Sequence, residues 1–444
     1  MGIKNFRSNL IEIFPDIINK KKPNNIHTLC IDLNGILHKV CHRAKTEEKF
    51  KKILFNSLKK LIKINKPKSI AIFVDGQAIL AKANTQIKRR NKYLYVESSG
   101  ISSLNLTPGT PFMNFLDDSI MEFLDSLTNM ETYYSSSKQN NEGEIKLFEW
   151  LLNNNIKTRT CIVGSDSDLI VLALSCRPLL DIYICDENIY LSLFKLVEQL
   201  ANIHNKKFNY KWHPVRIDFA LLSLFQGNDY NNRVANFKNL LKAYKKLQGK
   251  NIKFLINKNG SLNFTNIKML FSKIDTTYPI TCQEKDVIQY FRAIKWNLNL
   301  YQGKLNTRFI PDYSNVNVNS IIKFIPNQIK EIEENINWLN SDVYTLLLMP
   351  STGKKYLPNH LKHFLEDGSP IKDLFPDPCP ECIKWKQKLK EIIKPDDDAS
   401  EDELNNFKKL LSTTSVNYNN HIKDSHSNKE LPIHRLEEAI IHLH

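Results

Sequence analysis

Over its first 230 residues the chain alternates short apolar β-type runs with stretches of helical periodicity, and few architectures satisfy that pattern. HTLCIDL, SIAIFVD, ETYYSS, TRTCIVG and LDIYIC read as buried strands, each closing on a turn signal. Between them FKKILFNSLKKLIKIN, PFMNFLDDSIMEFLDSL and EIKLFEWLLNN repeat apolar residues at a 3.6-residue period. The alternation predicts an α/β fold, a mostly parallel central sheet flanked by helices, followed by a mainly helical C-terminal region. In such sheets functional residues gather outside the carboxyl ends of the strands.

Those ends are acidic. The first strand closes at Asp32 and the second at Asp75; Glu142 and Glu144 open the helix after YYSSS. The next strand runs into Asp166 and Asp168, and the helical run DFALLSLFQGNDY ends at Asp229. One such Asp is ordinary turn punctuation, an N-cap or an acceptor for a nearby N–H. Seven in a shared cleft would repel one another by several kcal/mol unless a cation lay between them. Oxygen-ligated divalent ions, Mg²⁺ or Mn²⁺, suit an all-carboxylate set. Two such ions about 4 Å apart are the usual means of hydrolysing a phosphodiester. Placed at the turn, with Gly143 permitting an unusual backbone, Glu142 and Glu144 can both face inward.

The charge balance favours an anionic partner: the net charge is +15 over 444 residues. No apolar run is long enough to span a bilayer, and MGIKNFRSNL has no signal-peptide core. Phe6 also breaks the myristoylation pattern, so nucleic acid is expected rather than lipid. The eight cysteines lie mostly inside apolar strands, the usage of a reduced intracellular protein. CPEC at 379–382 is the exception. The tail offers His421, His426 and His434, but no second CxxC or tight His pair follows, so a reduced loop is expected there. Sequence character divides the chain into an α/β region carrying the acids at 1–235, a helical region at 236–394 and a polar tail at 395–444.

After Asp75, Lys82, Gln86, Arg89 and Arg90 fall at i, i+4, i+7 and i+8, one face of a helix. Alone that is a solvated basic face; beside an acidic metal site it suits a phosphate. MGIKNF, IDLNGILH, VDGQAILAKANTQIKRR, TPGTPFM, NEGEIK, VGSDSDLIVLAL and FQGNDY together resemble, in order, the Xrn family of 5′→3′ exoribonucleases. IKWNLNLYQG, LLLMPSTGKKYLPNHL and SPIKDLFP extend the resemblance to about residue 390.

The resemblance implies a core like that of the flap nucleases, with the seven acids as ligands of two Mg²⁺ or Mn²⁺ ions. It implies that Lys82, Gln86, Arg89 and Arg90 hold the 5′-phosphate and that His38 stacks on a terminal base. The expected substrate is single-stranded RNA with a 5′-monophosphate, degraded to nucleoside monophosphates by a monomer in the cytoplasm rather than the nucleus. Two departures stand out: no Trp-rich segment follows IKW, and the sequence from Trp385 onward diverges from the family's closing segment. A flap-type DNA nuclease would continue past its GxDY motif into a Gly-rich helix-hairpin-helix, whereas here no glycine follows Gly227 until Gly249. An idle RNA-binding scaffold on the same fold would be expected to have lost some of the acids, and all are present.

Overall fold

A computed structural model describes residues 3, 5–91, 100–176, 181–204, 213–249, 252–311, 316–392, 400–425 and 430–441. The chain packs as two compact units, one of residues 1–83 with 113–339, the other of 84–112 with 340–444.

The first unit is built on a seven-stranded sheet ordered β1-β7-β6-β5-β2-β3-β4. The strands are β1 (Ile18–Asn19), β2 (Thr28–Asp32), β3 (Ser69–Phe73), β4 (Glu131–Ser135), β5 (Thr160–Val163), β6 (Ile182–Asp186) and β7 (Ile189–Ser192). β2 through β6 are parallel, as the alternation predicts, and they are the five strands expected. β7 pairs antiparallel with β6 and β1 antiparallel with β7, so the sheet is mixed. β7 escapes the sequence because its turn has no glycine. Glu187 and Asn188 both take positive φ, 48° and 68°, which makes the two-residue hairpin.

Side chains on β2 and β3 are buried on both faces, as a sheet covered by helices requires. The helix Asp168–Ser175 is buried along its whole length, consistent with an all-apolar DLIVLAL surface. It packs between the helices Gly143–Asn153 and His213–Phe225. Trp296, in the helix Glu284–Tyr301, is fully buried in the same core and meets Tyr230 edge-on at 5.5 Å.

The second unit carries the helices Ser341–Leu348, Pro380–Glu391, Glu401–Ser425 and Ile433–Ile441. Two of these lie in the stretch expected as a polar tail. CPEC opens a helix instead of a loop, with Cys379 at its N-cap and Pro380 at the first position, where a missing N–H costs nothing.

Candidate active site

The parallel strands run outward in both directions from β2: β3 and β4 to one side, β5 and β6 to the other. The chain therefore changes direction between β2 and β5, the switch point at whose carboxyl ends ligands bind in open α/β sheets. Asp32 is the last residue of β2, and Asp75 follows β3 by two residues. Asp166 and Asp168 come just beyond β5, and Glu142 caps the helix that carries Glu144 in its first turn.

Three of the acids, Asp32, Glu144 and Asp168, are raised by the charges of the others. Burial, then the charges of Asp75, Asp166 and Glu142, push the Asp32 carboxyl up to about 8. Burial and Asp166 lead the causes that raise Asp168 to about 8, with Asp229 and Glu142 adding and Lys82 opposing. Glu144 is raised well above the usual range by burial, Asp166, Glu142 and Asp168, again against Lys82. The structure thus brings all seven acids into one electrostatic cluster. Among the described residues, no three of them place ligand oxygens within 4.8 Å of one another.

Lys82 sits inside this cluster. Its Nζ lies 2.9 Å from Glu142 Oε1 and 2.8 Å from Asp229 Oδ2, with 5% of the side chain exposed. Burial works against the ammonium, but Glu142, Tyr230, Asp229 and Glu144 outweigh it and hold its pKa well above the lysine norm. Lys82 is thus a counter-ion of the acids, a role the phosphate reading did not anticipate. The Tyr230 hydroxyl donates to the other Glu142 oxygen at 2.8 Å, and its ring lies 5.2 Å from Lys82 Nζ.

Glycine matters here for space, not for φ. The Gly143 N–H donates to Asp75 Oδ1 at 2.7 Å. A Cβ on Gly143 would stand 3.3 Å from each of Asp32 Oδ1, Asp75 Oδ1 and the Phe73 carbonyl. The unusual backbone expected at Gly143 falls two residues earlier, at Asn141, with φ 93°. Asn141 ties the turn to the loop after β3, donating to Gln77 O at 2.7 Å and accepting from the Gly76 N–H at 3.0 Å. Asp166 keeps a turn role as well, accepting the Asp168 N–H at 3.1 Å. Asp168 Oδ1 also accepts the backbone N–H of Ile3 at 3.2 Å, while Ser167 donates to the Ile3 carbonyl.

His38 is exposed on the helix Asn34–Cys41, one turn beyond Asn34, whose Oδ1 accepts the Asp75 N–H at 3.3 Å. Gln86, Arg89 and Arg90 belong to the second unit. There Gln86 Oε1 accepts the Tyr344 hydroxyl at 2.7 Å, and Arg90 Nε donates to Thr107 Oγ1 at 2.8 Å. Lys146 escaped the sequence reading because a lysine inside an amphipathic helix reads as surface. It is buried, donates to the Ser136 and Gln139 carbonyls at 2.9 and 3.2 Å, and burial lowers it to about 8 despite Asp75.

A family model described as the XRN 5′-3′ exonuclease N-terminus matches residues 1–100 and 91–187. Residues 1–187 are thus similar to the N-terminal part of the Xrn exonucleases. Among curated relatives, 5′-3′ exoribonuclease 1 of Schizosaccharomyces pombe is 26% identical over 295 residues, covering 52% of this chain. The human 5′-3′ exoribonuclease 1 is 23% identical over 385 residues, covering 71% of this chain. The match takes in 22% of each, so the chain spans about a fifth of the length of these Xrn relatives. Among solved structures, the catalytic core of Rad2 in complex with DNA substrate is 15% identical with a TM-score of 0.35, covering 78% of this chain and 99% of that one. The T5 D15 protein co-crystallised with metal ions is 11% identical with a TM-score of 0.33, covering 62% and 86%. Function does not follow from likeness at that level. Among the described residues, no helix is long and apolar enough to cross a membrane.

Proposed function

We propose that this chain hydrolyses single-stranded RNA from a 5′-monophosphate end, releasing nucleoside monophosphates. The observation that carries the reading is the gathering of seven carboxylates, six of them beyond the carboxyl ends of strands and Asp229 beyond a helix, where the chain changes direction across the sheet. Their mutual repulsion and burial make a donor set suited to hard divalent cations. Two Mg²⁺ or Mn²⁺ ions held there would supply an activated water and charge neutralisation at the scissile phosphate.

The chain's own residues do the rest. Asp32, Asp75, Glu142, Glu144, Asp166, Asp168 and Asp229 hold the cations, and Tyr230 fixes the orientation of Glu142. Lys82 balances charge beside Glu142 and Asp229 and, with Gln86, Arg89 and Arg90, is assigned to the 5′-phosphate by the spacing of its helix and the family resemblance. Such an end-on grip makes specificity depend on the terminus rather than on sequence. His38, one turn from Asn34, would stack on the first base.

The test is a time course with Mg²⁺ on one RNA carrying a 5′-monophosphate, triphosphate or hydroxyl and a 3′ label. Loss of the monophosphate RNA alone, without internal fragments, is expected. Cleavage indifferent to the 5′ end, or confined to flapped DNA duplexes, would refute the reading, and binding without cleavage would mark a scaffold.

A further inference from the structure

The two cysteines of CPEC do not stand alone. Cys379 Sγ lies 3.4 Å from His421 Nε2, and the sulfurs of Cys379 and Cys382 and a ring nitrogen of His421 are all within 4.8 Å of one another. At ordinary Zn–S and Zn–N bond lengths, tetrahedral ligands stand roughly 3.5–3.8 Å apart, so little movement separates this cluster from a coordination sphere. The other ring nitrogen, Nδ1, meets Glu381 Oε2 at 3.0 Å. With Nδ1–H donating to that carboxylate, Nε2 presents its lone pair to the two sulfurs, the carboxylate–histidine arrangement typical of metal ligands. His434 pairs with Glu438 instead, and His426 lies outside the described residues.

We propose that Cys379, Cys382 and His421 bind a zinc ion, with solvent in the fourth position and Glu381 orienting the histidine. Two thiolates and an imidazole select zinc over the hard cations suited to the acidic cleft. The fold supplies a reason. Cys382 is the only buried hydrophobic residue among the described residues of the helices Pro380–Glu391 and Glu401–Ser425. Leu410 and Val416 are more than half exposed. A helix pair with so little core needs a cross-link, and the three ligands join the first turn of one helix to the far part of the other.

The test loads the full-length reduced chain with ZnCl₂, removes excess by desalting and measures retained zinc. About one equivalent is expected in the parent chain, less than about a tenth in Cys382→Ser and His421→Ala, and roughly 10–100-fold weaker binding in Glu381→Gln. Absence of retained zinc in the parent, or its retention in both ligand variants, would overturn the site. Because those variants can also misfold, Co²⁺ is titrated into the parent chain as a second measurement. An intense tetrahedral spectrum with thiolate charge transfer supports the site. A weak octahedral spectrum, or a Cys379–Cys382 disulfide persisting in reducing buffer, overturns it.

Discussion

Replacing Lys82 with Met keeps most of the stem's volume and removes the charge. The ammonium lies 2.8–2.9 Å from two carboxylates, and the three side chains are 5, 8 and 16% exposed, so bulk water screens the loss poorly. Removing one partner of such a buried pair costs about 3–5 kcal/mol, because Glu142 and Asp229 lose the ammonium that lies between them. At about 2–4 °C per kcal/mol for a large domain, the midpoint in EDTA should fall by roughly 6–20 °C. Mg²⁺ should then recover much of that loss. A divalent ion supplies the missing positive charge, and a site saturated 100-fold above its Kd gains about 2.7 kcal/mol. The parent chain, with Lys82 already among the acids, should gain less from the same Mg²⁺. The assay is thermal unfolding of both proteins in EDTA and across a Mg²⁺ series. Equal stability of the two proteins in EDTA, or an identical Mg²⁺ increment, would refute the counter-ion reading of Lys82.

Gly143→Ala would press a methyl against two carboxylates and a carbonyl, each 3.3 Å from the new Cβ. Overpacking of that kind costs about 1–3 kcal/mol, and misplacing Asp32 and Asp75 should lower RNA turnover on the order of 100-fold. Turnover at the parent rate would show that neither carboxylate needs its present position. A separate prediction concerns Asp218, fully buried, which accepts from the Tyr244 hydroxyl at 2.7 Å and the Leu255 N–H at 2.9 Å. Burial raises its carboxyl to about 8, against those hydrogen bonds. The folded chain then keeps a proton that the unfolded chain releases near pH 4. Stability from this group is complete below about pH 4 and is lost as pH rises through about 8, with a slope up to ~1.4 kcal/mol per pH unit. In urea melts from pH 4 to 9, Asp218→Asn should flatten that decline, and curves parallel to the parent's would refute the assignment.

The sheet's parallel core was legible because buried parallel strands are nearly continuous apolar runs ending in turn residues, as CIDLNG and IFVDGQ display. β7 was not, since Glu187 in a left-handed turn carries no composition signal. The acids were legible for a related reason: strand ends converge whenever the sheet is parallel, so convergence follows from topology. What sequence could not convey is which cations answer them. Lys82 lies four residues before Gln86 and so reads as one of a basic row, yet its ammonium is held by Glu142 and Asp229, 60 and 147 residues further along the chain. CPEC and His421 were both visible but set aside, because His421 reaches Cys379 across 42 residues rather than at the short spacing of a zinc finger.

The acids of the cleft are spread from Asp32 to Asp229, and the tyrosine that steadies Glu142 comes one residue after the last of them. During synthesis at about 5–20 residues per second, Asp32 therefore leaves the ribosome roughly 10–40 s before Asp229 and Tyr230. By the end of that interval a nascent chain has β2, β3 and β5 available for pairing but an incomplete donor set. Lys82 is already present and has Glu142 as a partner well before Asp229 arrives. Assembly of the cleft is consequently ordered in time: its charge is partly balanced first and its last carboxylate added afterwards. A nascent chain stalled before residue 229 would have the sheet without the finished site.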